Sequence, residues 1–283
     1  MSAIISLILS YLLNALLMTL SQLFILFGIF IILAGIMNLI ARQNEYLGIR
    51  IFGMKAYLYL FGWLGTAVHE LGHAFFALLF GHRIVSIKLF TPNSKDGSLG
   101  HVSHSWNRNS LYQNIGNFFI GVGPLIIGSL CIYLVTLSLF GSKTMSVALD
   151  LNYQQLKDFD SFTIALKSIG IAFFDYMQNI LHGSSFKWWK LCIFIYILYA
   201  VGSSVSLSSS DMKSTGYGLI FLSLSLLVFN LLTLWTGSFA TDIILWLSAF
   251  LSPFYLLIIL SIGVNIFFLF LLLILSLLPV ERK

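Results

Sequence analysis

Six long apolar runs, each bounded by polar clusters, restrict this chain to one kind of fold before any motif is considered. They occupy residues 22–40, 57–80, 116–140, 191–207, 217–235 and 255–278. About twenty apolar residues in a helix cross the ~30 Å hydrocarbon core of a bilayer, and in lipid only helices and closed barrels satisfy their own backbone groups. The composition agrees: 59% of the residues are hydrophobic and 9% charged, with a mean hydropathy of +0.96, where a soluble domain carries roughly 25% charged residues. The chain therefore reads as an all-α polytopic membrane protein with about six transmembrane helices, a single integral membrane domain over residues 1–283.

Shorter signals refine this outline. Residues 3–20 are apolar but interrupted by Asn14, which predicts an interfacial or partly inserted helix; with no basic n-region and no small-residue cleavage site, it is expected to be retained. Residues 242–251, ahead of Pro253, predict another short membrane-lying piece. The net charge of +5 comes from 15 basic and 10 acidic residues without a Lys/Arg tract. That excludes a nucleic-acid partner and assigns the excess to loops facing the lipid bilayer. Cys131 and Cys192 form no paired pattern and read as small core residues. Trp188, Trp189, Trp235 and Trp246 read as interfacial anchors.

Two connections have internal pattern. After Gly81, apolar Val85, Ile87 and Leu89 alternate with Ser86 and Lys88, and an Asp96-Gly97 turn leads into further β-compatible residues. This predicts a short membrane-associated β-hairpin. Residues 141–190 are mixed in charge with an apolar centre at 161–181, where Lys167 and Asp175 favour a helix lying in the interface over a further span.

The second run contains the only cluster of metal-capable side chains in an apolar setting, GTAVHELGHAFFALLF at residues 65–80. On a helix, His69 and His73 emerge from one face one turn apart and can share an ion. Zinc takes histidine nitrogens and keeps a position for water at catalytic sites, and Glu70 beside them is the expected general base acting on a zinc-bound water. A chance HExxH is disfavoured here, because an ionisable residue at mid-bilayer costs on the order of 2.5–3.5 kcal/mol.

A third ligand must come from elsewhere. A metzincin extension would need Gly and His where the chain has Phe76 and Leu79, and the other glutamates, Glu45 and Glu281, lie outside the apolar runs. The remaining candidates are Asp211, Asp242, His82, His101 and His104. Asp211, in the serine-rich SSVSLSSSDMKSTGYG, is the best placed, with a helix N-cap as its alternative role. Counting spans puts the ends of runs 57–80 and 191–207 on the same side, so His69, His73 and Asp211 can meet. His101 and His104 point to opposite faces of a strand and read as hairpin surface, one of them within reach of a substrate. His82 reads as a C-terminal cap. Gly116, Gly121, Gly123 and Gly128 form two pairs seven apart that suit close helix packing.

With HELGH in a membrane helix, a hairpin directly after it, GVGP at residues 121–124 and an aspartate two spans on, the chain resembles the site-2 protease family of intramembrane zinc metalloproteases. The resemblance implies a core over residues 57–217, with 1–56 and 218–283 as additional membrane helices. It implies zinc held by His69, His73 and Asp211, catalysis through Glu70, and cleavage of a membrane-embedded or membrane-proximal protein substrate that unwinds and adds to the hairpin edge. It also implies a bacterial inner membrane location with the site toward the cytosol. Asn117, Gly123 and Pro124 become contacts to the substrate or the transition state, alongside His101 and His104. Asp211 here lacks the family's LDG setting, and GPLIIG lacks the Asn that often follows the family's GP, a role Asn117 is positioned to take. Two other functions remain: an inactive family member acting as scaffold or chaperone, and a di-iron membrane oxygenase, which resembles enzymes using about eight histidines where this chain has six.

Overall fold

The structure is a computed structural model that describes residues 2–92, 99–145, 159–183, 185–237 and 239–277. Each of the six apolar runs lies mostly in helix among the described residues. Helix α1 (Ser2–Leu23) passes through a widened π turn at Phe24–Gly28 into α2 (Ile29–Phe52). Gly53, at φ +82°, breaks the chain before a short α3 (Met54–Tyr57). A second π turn at Leu58–Gly62 leads into α4 (Trp63–Leu79), which carries HELGH. Helices α5 (Leu111–Phe140), α6 (Phe159–Leu181), α7 (Trp188–Ser204), α8 (Ser209–Thr233) and α9 (Phe239–Leu277) complete the set.

Among the described residues, four helical segments are long and apolar enough to cross a membrane: Ile4–Phe52, Leu111–Phe140, Ser209–Thr233 and Asp242–Leu277. The HELGH helix and α7 are shorter, at 17 residues each. Residues 3–20 are helical, as expected, in one helix that runs past Asn14 to Leu23. One expectation needs correction. Pro253 does not end a short piece before α9 but lies inside that helix, a position that membrane helices tolerate because neighbouring groups re-satisfy the freed carbonyl. Helix α6 buries Ala172, Tyr176 and Ile180 against the core and leaves Ile171 and Phe174 exposed. Cys131 packs against the core, while Cys192 is exposed. The four tryptophans expected as anchors are all well exposed.

The hairpin forms as its alternation predicts: β1 (Arg83–Lys88) pairs antiparallel with β2 (His101–Ser105), with a bulge between Ile84 and Ser86. The Asp96-Gly97 turn lies outside the described residues. Helix α4 ends in a Schellman arrangement: the Gly81 N–H donates to the Leu78 carbonyl and the His82 N–H to the Ala77 carbonyl, with Gly81 at φ +69°. This turn sends the chain back into β1.

Helix α5 is the hub between α4 and α8, and its glycines sort by face. A Cβ built on Gly123 would come within 2.6 Å of the Gly72 carbonyl oxygen on α4, and one on Gly121 within 2.2 Å of Thr215 Oγ1 on α8. Gly116 faces Phe80 and His82, and Gly128 faces Val205. Thus the spacing of seven marks contact faces, as small residues in membrane helices do. The main core gathers Leu125 and Ile132 of α5, Phe194 and Leu198 of α7, and Tyr255 and Leu257 of α9.

Candidate metal centre

The site grows from the pitch of α4. His69 and His73 sit one turn apart, their Nε2 atoms 3.2 Å from each other. Each ring is fixed from behind by a backbone carbonyl on another helix: His69 Nδ1 bonds the Ser204 carbonyl at 2.8 Å and His73 Nδ1 the Ile120 carbonyl at 2.8 Å. A carbonyl only accepts, so both Nδ1 atoms carry the proton and donate. In the neutral rings both Nε2 lone pairs then face one another, an arrangement a cation relieves. Such carbonyl partners orient metal-binding imidazoles generally.

Asp211 reaches the same point from the first turn of α8. Its Oδ1 lies 3.1 Å from His73 Nε2 and its Oδ2 3.4 Å from His69 Nε2. One donor atom from each of the three residues lies within 4.8 Å of the other two. Four ligands at ~2.0 Å in a tetrahedron sit ~3.3 Å apart, so this donor set fits a zinc ion. Asp211 is not the helix N-cap of the alternative reading; it is the third residue of α8. Ser208 is the N-cap, its Oγ accepting from the Asp211 N–H at 3.2 Å, while Asp211 Oδ2 accepts from the Ser208 N–H at 2.8 Å, a capping box. The box fixes the carboxylate toward the histidines.

Glu70, buried at 7% exposure, lies beside the cluster against the residue that precedes β2: a Cβ on Gly100 would come within 2.8 Å of Glu70 Cγ. A cavity of about 390 Å³ opens on the His69 side, lined by Arg42, Glu45, Gly65, Leu99, Ser204 and Ser208 among others.

The other candidates stand apart from the three. His101 Nε2 bonds Ser86 Oγ at 3.2 Å. His82 Nε2 donates to the Gln113 carbonyl at 2.9 Å, so its Nδ1 accepts from His104 Nδ1 at 2.9 Å. This pair ties β2 to the end of α4 and stacks on Trp106. Burial, and then the neighbouring His82, push His104 down to about 4, and burial lowers His82 as well, so both rings are neutral at pH 7. Asp242 is exposed in the first turn of α9. Asn117 is buried, its Nδ2 donating to the Gln113 carbonyl and its own carbonyl accepting from Ser214 Oγ. Gly123 and Pro124 pack on the Gly72 backbone. The carbonyls of Ser204 and Ile120 had no signal in the sequence, since any residue supplies one; the Ser208–Asp211 box was visible as S-x-x-D.

Fold and site together define a polytopic helical membrane protein with a His/His/Asp cluster between helices and a hairpin beside it. Residues 45–149 match the family model described as Peptidase M50B-like, which bears out the resemblance to the site-2 protease family. The matched stretch holds HELGH, the hairpin and α5, whereas Asp211 lies outside it. No curated protein and no solved structure showed a significant match to the chain. The apolar helices mark an integral membrane protein, and the family matched over residues 45–149 points to a metalloprotease.

Proposed function

We propose that this chain is a zinc-dependent intramembrane metalloprotease that hydrolyses peptide bonds of membrane-embedded or membrane-proximal proteins. The observation that carries the reading is the convergence of His69 Nε2, His73 Nε2 and the Asp211 carboxylate, with both Nδ1 atoms already committed to carbonyls. His69, His73 and Asp211 would hold the ion, which when bound supplies the Lewis acidity that makes water a nucleophile near neutral pH. Glu70 takes the proton of the attacking water and hands it to the departing amine. Its burial limits competition from bulk solvent.

A transmembrane helix shields its peptide bonds, so the substrate must present an extended segment. Among the described residues, the two-stranded sheet leaves one edge of each strand without a strand partner, and adding a strand to such an edge supplies the backbone bonds that the unwound segment lost. The core of this activity lies in residues 57–217, and we place the protein in a bacterial inner membrane with the site toward the cytosol, as the family resemblance implies.

The test is to express Glu70→Gln and wild type in cells and compare co-purifying membrane proteins. The variant should accumulate intact substrates that wild type cleaves. Equal cleavage by both proteins would remove Glu70 as the base, and the absence of any trapped or cleaved protein would favour a scaffold.

A further inference from the structure

A second cavity, of about 540 Å³, shares no lining residue with the first. It lies between β2 and α8 and is lined by Ser103, His104, Trp106, Arg108, Lys213 and Tyr217, with no acidic side chain in its wall among the described residues. Arg108 and Lys213 are exposed, and among the described residues neither has an ion-pair partner. The cavity adjoins the helices that carry the site. Ser214, one turn beyond Asp211 on α8, lines it and donates to the Asn117 carbonyl at 3.1 Å, and Asn117, which also lines it, is one helical turn before Ile120, whose carbonyl holds His73. Trp106 and Tyr217 meet edge to face, their ring centroids 6.2 Å apart.

Position along β2 gives the cavity a place in a substrate. Leu99 lines the first cavity, Gly100 lies against Glu70, and residues 102–104 and 106 contribute to the second. A peptide paired along this strand would therefore pass from one cavity to the other with Glu70 between them. At ~3.3 Å per residue, the centre of the second cavity lies about three or four residues from the bond aligned with Glu70.

We infer that the groove between β2 and α8 is a specificity subsite for an acidic side chain of an extended peptide, about three or four residues from the cleaved bond, with Arg108 and Lys213 as its cations. This rests on the protease reading. A peptide is favoured over an anionic lipid headgroup because the strand edge beside the cations offers backbone partners that a lipid has no use for. Two cations in a cavity without a carboxylate also make the complementarity one-sided.

The experiment uses the full-length protein in phosphatidylcholine nanodiscs and fluorescent dodecapeptides of uncharged sequence. A single Glu is walked through the positions, with a Gln twin for each. Binding is read by anisotropy and cleavage by mass spectrometry. In one register the Glu peptide should bind about tenfold more tightly than its twin, the scale of one charge-assisted hydrogen bond, and the preference should shrink with salt. It should vanish in Arg108→Gln/Lys213→Gln and pass to Lys-bearing peptides in Arg108→Glu/Lys213→Glu, a gain that a misfolded protein does not produce. Equal binding of every Glu and Gln pair overturns the inference, as does a preference that survives in the double Gln variant. So does phosphatidylglycerol retained by wild type and lost from the double Gln variant in place of any peptide preference, which would mark a headgroup site. Acid-selective binding without cleavage would sink the protease reading and leave the subsite, whereas cleavage indifferent to charge would do the reverse.

Discussion

Asp211 has two tasks that a substitution can separate. It closes the capping box with Ser208 and faces the two Nε2 atoms. Ser208→Ala removes one cap bond and should cost about 1 kcal/mol of α8 stability, read by thermal unfolding, with zinc still bound. Asp211→Ala removes the carboxylate itself and should lower zinc affinity by more than about 100-fold, since loss of an outer-shell partner alone costs 10–100-fold; competition with a fluorescent chelator reads this. Glu70→Gln should hold zinc normally while turnover falls about 10²–10⁴-fold, the range of general acid–base catalysis. The His82–His104 pair gives a pH prediction. With its folded pKa at about 4, below the ordinary ~6.5, His104 binds fewer protons folded than unfolded across that interval. Stability of the hairpin therefore falls as pH drops from about 6.5 to 4 and changes little below it. The groups facing it are His82 and, through His82, the Gln113 carbonyl, Trp106, His73 and, across the cavity that it lines, Arg108 and Lys213. Hydrogen-exchange protection factors at residues 101–105, taken relative to the intrinsic amide rate at each pH, should fall over that window, and less so in His104→Asn.

At the scale of elements, the site depends on how closely α4 and α5 approach. Gly72 and Gly123 meet backbone to backbone, and Ile120, on the same stretch of α5, holds His73. Gly72→Ala should therefore cost about 1–3 kcal/mol by overpacking and weaken zinc binding as well, although residue 72 carries no ligand; a variant with unchanged zinc affinity would show that the crossing does not position His73. Much of this level was legible in the sequence. Apolar runs of twenty residues and the period-2 alternation of residues 83–89 are direct consequences of bilayer thickness and strand pleat, so both appeared where expected. The continuity of α9 through Pro253 was not legible, because a proline breaks a helix in water more readily than in a packed membrane bundle. Asp211 was legible only as a choice among candidates. Its dual role needed the three-dimensional meeting of α8 with α4, as did the groove beside Arg108 and Lys213.

At the scale of the molecule, polar side chains join the terminal helices to the core. Asn230 of α8 donates to Thr19 Oγ1 and Gln22 Oε1 of α1, both at 2.8 Å, and Asn44 of α2 donates to the Asn265 carbonyl of α9 at 3.0 Å. All of these side chains are buried. Hydrogen bonds between membrane helices average about 0.6 kcal/mol, so a Gln22→Ala/Asn230→Ala double-mutant cycle should show coupling of that order while zinc content is unchanged. This follows because the cluster is assembled from α4 and α8, braced by α5 and α7. The most direct test of the whole account is the zinc content of purified full-length protein, compared between wild type and Asp211→Ala. About one zinc per chain in wild type, absent from the variant at the same chelator concentration, is the predicted result. Equal zinc in both proteins would show that Asp211 is not a ligand, and wild-type protein that cleaves with no metal at all would contradict the account at its centre.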